Sequence, residues 1–134
     1  SWRHIPSEFD RLHQLLKREQ DNSLVLLLSG DRHVGGFYGY DGLFEITASS
    51  WTHTIALDAF DENCHTAQDC DEVDDRRWND FVRVNHYGVL ELDWEAGVVQ
   101  GSLRRVDMSP QYRYRSGLRQ EAGHVLQEYS YAIP

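Results

Sequence analysis

An α/β domain, with one helix and one apolar strand ahead of a mostly antiparallel series, is predicted from three observations. Residues 7–20 place Phe9, Leu12 and Leu16 on one helical face. Leu24-Val25-Leu26-Leu27-Leu28 is apolar without alternation. Beyond it, turn dipeptides separate short segments that alternate or carry β-branched and aromatic residues. One helix, one buried strand and at least five further strands fit half of a layered α/β structure.

Ser7, followed three residues later by Asp10 and preceded by Pro6, resembles a capping box, so the helix starts there and ends near residues 20–22. Residues 23–29 are too short for an amphipathic helix and lack polar alternation, which predicts a central strand buried on both faces. Gly30 and Gly35-Gly36 bracket a sharp turn. Asp41-Gly42 lies between Phe37–Tyr40 and Leu43–Thr47, which is a strong hairpin signal. Residues 49–78 have no clean period and hold Asp58, Asp61, Glu62, Asp69, Asp71, Glu72, Asp74 and Asp75, an acidic irregular excursion. Leu90, Leu92 and Trp94 alternate with Glu91 and Asp93 ahead of a Glu95-Ala96-Gly97 turn and Val98–Val106, which predicts a hairpin with one wet face. Glu121-Ala122-Gly123 then leads into a last strand in which Val125, Tyr129, Tyr131 and Ile133 share a face.

The composition narrows the function classes. The 134 residues carry 22 acidic and 13 basic side chains, a formal net charge of -9, which repels a nucleic-acid backbone unless the basic groups gather on one face. Nucleic acid is therefore not expected as a scaffold, and an anionic substrate needs a local device such as metal ions. The Leu24–Leu28 run is far shorter than the roughly 20 residues of a membrane-spanning helix, so no membrane span is expected. Ser1–Pro6 lacks the basic and apolar regions of a signal peptide, and the chain opens Ser1-Trp2-Arg3, which reads as a fragment or a processed form. Cys64 and Cys70 are too few for a disulfide framework, although one bond between them would close a short loop.

The stretch richest in chemistry is Leu28-Ser29-Gly30-Asp31-Arg32-His33. A strand ends, glycine lets the backbone swing away, and a carboxylate and an imidazole follow two residues apart at the carboxyl end, where open α/β sheets bind ligands. The pair offers a hard oxygen and a borderline nitrogen, suited to Mn, Fe, Zn or, on the oxygen side, Ca. Asp31 capping a turn is the competing role.

This block and its surroundings resemble the C-terminal half of the PhoD-like alkaline phosphatases, a branch of the calcineurin-like metallophosphoesterases. Leu28-Ser29-Gly30-Asp31-Arg32-His33 is similar to the family's Leu-Ser-Gly-Asp-x-His block. The segment from Ser1-Trp2 through Pro6 to Arg11-Leu12 resembles the one preceding its buried strand. Glu45-Ile46-Thr47-Ala48-Ser49-Ser50 with Thr52-His53-Thr54 resembles the segment that follows, and Asn85 through Gly88 with Val89-Leu90-Glu91-Leu92-Asp93-Trp94 resembles a late strand. The resemblance implies a four-layer α/β/β/α sandwich and a dinuclear centre of divalent or trivalent ions (Fe, Zn, Mn or Ca) that hydrolyses phosphate monoesters or diesters. It makes Asp31 and His33 the last metal ligands and catalytic residues. Asp31 stands where many relatives carry histidine, which favours a harder ion.

The family's other ligand blocks lie upstream of such a stretch, and none precedes Leu28 here. The resemblance therefore implies that residues 1–134 are the C-terminal part of a single metallophosphatase domain, completed by an N-terminal half or a second chain. It also implies an exported, periplasmic or extracellular protein. A non-catalytic β-rich module, or an inert fragment whose acidic loop binds a partner or calcium, is the alternative.

Arg32, between the two ligands, is a candidate for a bidentate contact to substrate phosphate, against the commoner pairing of arginine with a carboxylate. His53 is a candidate for the substrate pocket, against a structural histidine bonded to a carbonyl. Trp51 could stack on an aromatic substrate group, against ordinary packing. Cys64, His65 and Cys70 with Asp69, Asp71 and Asp74 match neither a zinc knuckle nor an EF-hand, which favours a solvated acidic loop. Tyr112-Arg113-Tyr114-Arg115 alternates like a charged edge strand, with nucleic-acid stacking as the other reading. Asn85 and His86 open a strand, with pocket and turn roles equally open.

Overall fold

A computed structural model of the chain describes residues 5–20, 22–52, 54, 68, 73–80, 82–106 and 122–134. The elements run α1 (Pro6–Gln20), β1 (Leu26–Ser29), β2 (Gly35–Tyr40), β3 (Leu43–Ala48), β4 (His86–Asp93), β5 (Val98–Arg105) and β6 (Val125–Ala132). His53, Cys64, His65, Asp69, Cys70, Asp71 and the Tyr112–Arg115 stretch lie outside the described residues.

Helix α1 opens one residue earlier than the capping-box reading predicts. The Phe9 N–H donates to the Ile5 carbonyl at 3.1 Å, so Ile5 is the cap and Pro6 takes the first helical position, where its missing N–H costs nothing. Glu8 in the first turn and Lys17 and Arg18 in the last complement the helix dipole. Phe9, Leu12 and Leu16 are half-buried as the periodicity predicts, and no helical residue is fully buried.

The first sheet has the order β1-β3-β2, with β1 parallel and β2 antiparallel to β3. Its hairpin turns on Asp41 and Gly42, whose φ values of 50° and 80° are the paired left-handed conformations of a tight primed turn. Strand β1 departs from the sequence expectation: it is an edge strand, and Leu28 is 64% exposed rather than buried on both faces. Leu28 is in register with the buried Ile46, so it points to the inner side of the sheet and lacks a neighbour there among the described residues. An apolar run predicts burial only where both flanks are covered, and among the described residues only β3 flanks β1.

The second sheet, β4-β5-β6, is fully antiparallel. The two sheets meet through Phe37 and Ile46 on one side and Leu103 and Tyr131 on the other, with Val82 at the margin. Contact is close because Gly101 offers no side chain: a Cβ there would lie 2.5 Å from Ile46 Cδ1. Phe44, Trp78, Tyr129 and Tyr131 close one end as an aromatic group, with Trp78 edge-on to Phe44 at 5.6 Å and to Tyr129 at 4.8 Å. The end of the acidic excursion lies along β2 through the bridges Tyr38 to Arg77 and Gly35 to Val82.

Strand β6 corrects a second expectation. A register shift at Leu103/Arg104 inserts one extra residue, so Val125 pairs with Arg104 and is 38% exposed while Tyr131 is buried. Equal spacing along the strand did not keep Val125 and the tyrosines on one face because the bulge reverses the alternation between them. On β4, Leu90 and Leu92 pair with Gly101 and Val99 and share their inner side, yet they are 36% and 50% exposed because β4 is at the edge of its sheet among the described residues. The described residues thus form a mixed α/β unit of two small sheets and one helix, and none of their helices is long and apolar enough to cross a membrane.

Candidate functional site

The Gly30–Val34 turn leaves the carboxyl end of β1 and is held by hydroxyl chemistry at its base. Ser29 Oγ donates to Glu45 Oε1 at 2.5 Å and lies 2.7 Å from Thr47 Oγ1. Thr47 Oγ1 also donates to Glu45 Oε1 at 3.5 Å, so both hydroxyls converge on one carboxylate oxygen. Thr47 is buried, which makes this short chain a fixed link between the ends of β1 and β3. At the far side of the turn, Ser49 Oγ donates to the Val34 carbonyl at 2.8 Å. Gly30 sits against Ala48 and Ser49.

Between these anchors the backbone takes an uncommon shape. Asp31 and His33 both have positive φ, 71° and 57°, in the left-handed region that side-chain-bearing residues rarely enter. Aspartate and histidine are among the residue types that tolerate it, and such conformations concentrate at functional loops. Asp31 and Arg32 are exposed and His33 is half-buried, so the oxygen and nitrogen donors lie at an accessible strand end. Among the described residues no three His, Cys, Asp or Glu side chains gather to hold an ion.

His86 occupies the space beneath the turn. It is 1% exposed, its backbone N–H donates to the Ser50 carbonyl at 2.9 Å, and its Nδ1 lies 2.7 Å from the Val84 carbonyl. That contact requires a proton on Nδ1 and leaves Nε2 as the acceptor nitrogen of a neutral ring. Nε2 faces Gly35, where any Cβ would collide with the imidazole, 2.8 Å from Cε1 and closer still to Nε2. His86 Nε2, Ser50 Oγ, Thr54 Oγ1 and Asn85 Oδ1 are buried and have no hydrogen-bond partner among the described residues. Asn85 Nδ2 in turn donates to the Thr52 carbonyl at 2.9 Å. Asn85 and His86 thus bond the segment after β3 through the Thr52 and Ser50 carbonyls.

Burial lowers the His86 pKa below its ordinary 6.5, outweighing the upward pull of the Val84 carbonyl. The unfolded chain then takes up a proton that the folded chain refuses, so stability is fully present above about pH 6.5 and declines as pH falls from there toward the folded value. The melting temperature is expected to drop between about pH 7.5 and pH 5, and His86→Gln to flatten that drop. Thermal unfolding across this range checks it, and an equal drop in both proteins contradicts it.

Of the remaining candidates, Trp51 is 64% exposed and tilted against Tyr87 with centroids 5.6 Å apart, so it is not a core residue. Asp74 is held by Arg76, whose Nε lies 2.7 Å from Oδ1, and that hydrogen bond lowers the Asp74 pKa, which makes Asp74 an ion-pair partner. The Ser29 to Thr47 to Glu45 chain was not anticipated from the sequence as a unit. Its signal was the parallel register of β1 and β3, which residue spacing alone does not reveal. Comparisons with family models, curated proteins and solved structures return no match for this chain.

Proposed function

We propose that this chain contributes Asp31 and His33 to a dinuclear metal centre that hydrolyses phosphate monoesters or diesters. The remaining ligands come from an N-terminal half or a second polypeptide, and together the parts form a four-layer α/β/β/α sandwich. The observation that carries the reading is the Asp31 and His33 turn itself: two donors of complementary hardness, both in left-handed backbone, pinned at the carboxyl end of a strand whose outer edge is unpaired among the described residues. The exposed inner-facing Leu28 and the uncovered Leu90 and Leu92 support an additional layer or strand on that flank.

The donor set fits a shared centre. Asp31 supplies a hard carboxylate and His33 a neutral imidazole, and one exposed arginine lies between them. Asp31 and His33 would hold part of such a centre, which when bound would make a hydroxide available at neutral pH and offset charge on the phosphoryl oxygens. Arg32 is positioned in sequence to offer its planar fork to a non-bridging phosphate oxygen. Ser29, Thr47 and Ser49 hold both feet of the turn, so the donors need little reorganisation on binding. An acidic chain thereby accepts an anionic substrate without a basic surface.

The test is hydrolysis of bis(p-nitrophenyl) phosphate and p-nitrophenyl phosphate by the chain together with its complementary half. Turnover that is lost on chelation and restored by Mn, Zn, Fe or Ca supports the reading. Turnover unaffected by chelators, or absent with every metal, overturns it.

A further inference from the structure

Trp51 is the largest exposed side chain on the segment that leaves β3, and its presentation is rigid. Ser49 is bound to the Val34 carbonyl at 2.8 Å, the Ser50 carbonyl accepts the His86 N–H at 2.9 Å, and the Thr52 carbonyl accepts Asn85 Nδ2 at 2.9 Å. The backbone is thus fixed on both sides of an indole that is 64% exposed. Behind it stands the Tyr87 ring, 5.6 Å away and inclined by 58°.

Its position is equally specific. Ser29 pairs with Thr47, so the ends of β1 and the parallel β3 lie side by side at one edge of the sheet. Ser49 touches Gly30 and Val34, the residues that bracket Asp31 and His33, and Trp51 follows two residues later. At roughly 3.3 Å per extended residue, the Trp51 backbone lies within about 7 Å of Ser49, which is bonded to the turn.

We propose that Trp51, backed by Tyr87, is the platform on which the nucleobase of the substrate's retained alcohol stacks, so that the preferred substrates are phosphate esters of nucleosides. This rests on the phosphoesterase reading for its substrate class. The geometry of the platform itself does not depend on turnover. An aromatic face is tolerant of ring identity, since any planar ring presents a π-surface, and it discriminates strongly against alkyl groups.

The experiment pairs turnover with direct binding. Thymidine 5'-(p-nitrophenyl phosphate) and methyl p-nitrophenyl phosphate share a leaving group and differ in the retained alcohol. In the completed protein, Trp51→Ala is expected to lower kcat/KM for the thymidine ester roughly tenfold or more while leaving the methyl ester within about twofold, and Trp51→Phe to retain most of the preference. In the 134-residue chain alone, thymidine 5'-phosphate is expected to shift the Trp51 indole N–H resonance, whereas methyl phosphate leaves it in place. Equal losses for both esters, or weakened association with the complementary half, would make Trp51 an interface residue and overturn the proposal. An unmoved indole resonance overturns it as well. A shifted resonance without any turnover would leave the aromatic platform standing and remove the phosphoesterase reading instead.

Discussion

On the proposed reading, Asp31→Ala and His33→Ala are each expected to reduce metal-dependent phosphate-ester hydrolysis by at least about a hundredfold in the completed protein, because each removes a proposed metal donor. Asp31 is exposed and His33 half-buried, so neither truncation opens a core cavity. Both positions also have positive φ, and replacing a tolerant side chain by alanine there adds a modest backbone cost on the order of 1 kcal/mol. Asp31→Asn and His33→Asn keep the turn conformation and isolate the loss of donor chemistry from that cost. Kinetics alongside circular dichroism and thermal melts of all four variants check the expectation. Near-normal turnover in either alanine variant contradicts it.

Gly35→Ala is the second large effect, and it falls on stability. The added methyl would be driven into the buried His86 ring, which is itself held by the Val84 carbonyl, so neither side can yield cheaply. Gly35 is also bonded through its own N–H and C=O to Val82 at 2.7 Å and 2.6 Å, which blocks escape by backbone movement. The expected cost is about 2 to 3 kcal/mol, a fall in Tm on the order of 10 °C. His86→Ala in the same chain removes the obstacle, so the double variant is expected to lose less than the sum of the two single losses. A double-mutant cycle by thermal or urea unfolding measures this, and simple additivity contradicts the contact.

Much of the local structure was legible from residue types. Asp41-Gly42 dictated its hairpin because few pairs other than those with glycine or asparagine accept two successive left-handed residues. The Glu95 to Gly97 turn and the helix over residues 6–20 were legible for similar local reasons. What failed was non-local. Strand β1 reads as central from its unbroken Leu and Val run, yet its burial depends on what lies beside it, and only β3 does so among the described residues. The bulge in β6 that turns Val125 outward is set by its register against β5 and leaves no mark in spacing. At the candidate site, Asp31 and His33 stood out as donors, whereas their left-handed backbone and the Ser29, Thr47 and Glu45 chain beneath them emerged only once β1 and β3 were laid side by side. Gly35 read as part of a sharp turn, and its role as the close-approach point for His86 depends on a residue far along the chain.

The most direct measurement of the central claim is native mass spectrometry with elemental analysis of the chain and whatever polypeptide purifies with it, compared with the Asp31→Ala and His33→Ala forms. The account predicts a complex with a second polypeptide, or a longer chain, carrying about two metal ions, and a complex that still forms in both variants with metal content lowered in each. A complex without metal, or one whose metal content is unchanged in both variants, would contradict the assignment of Asp31 and His33 as ligands.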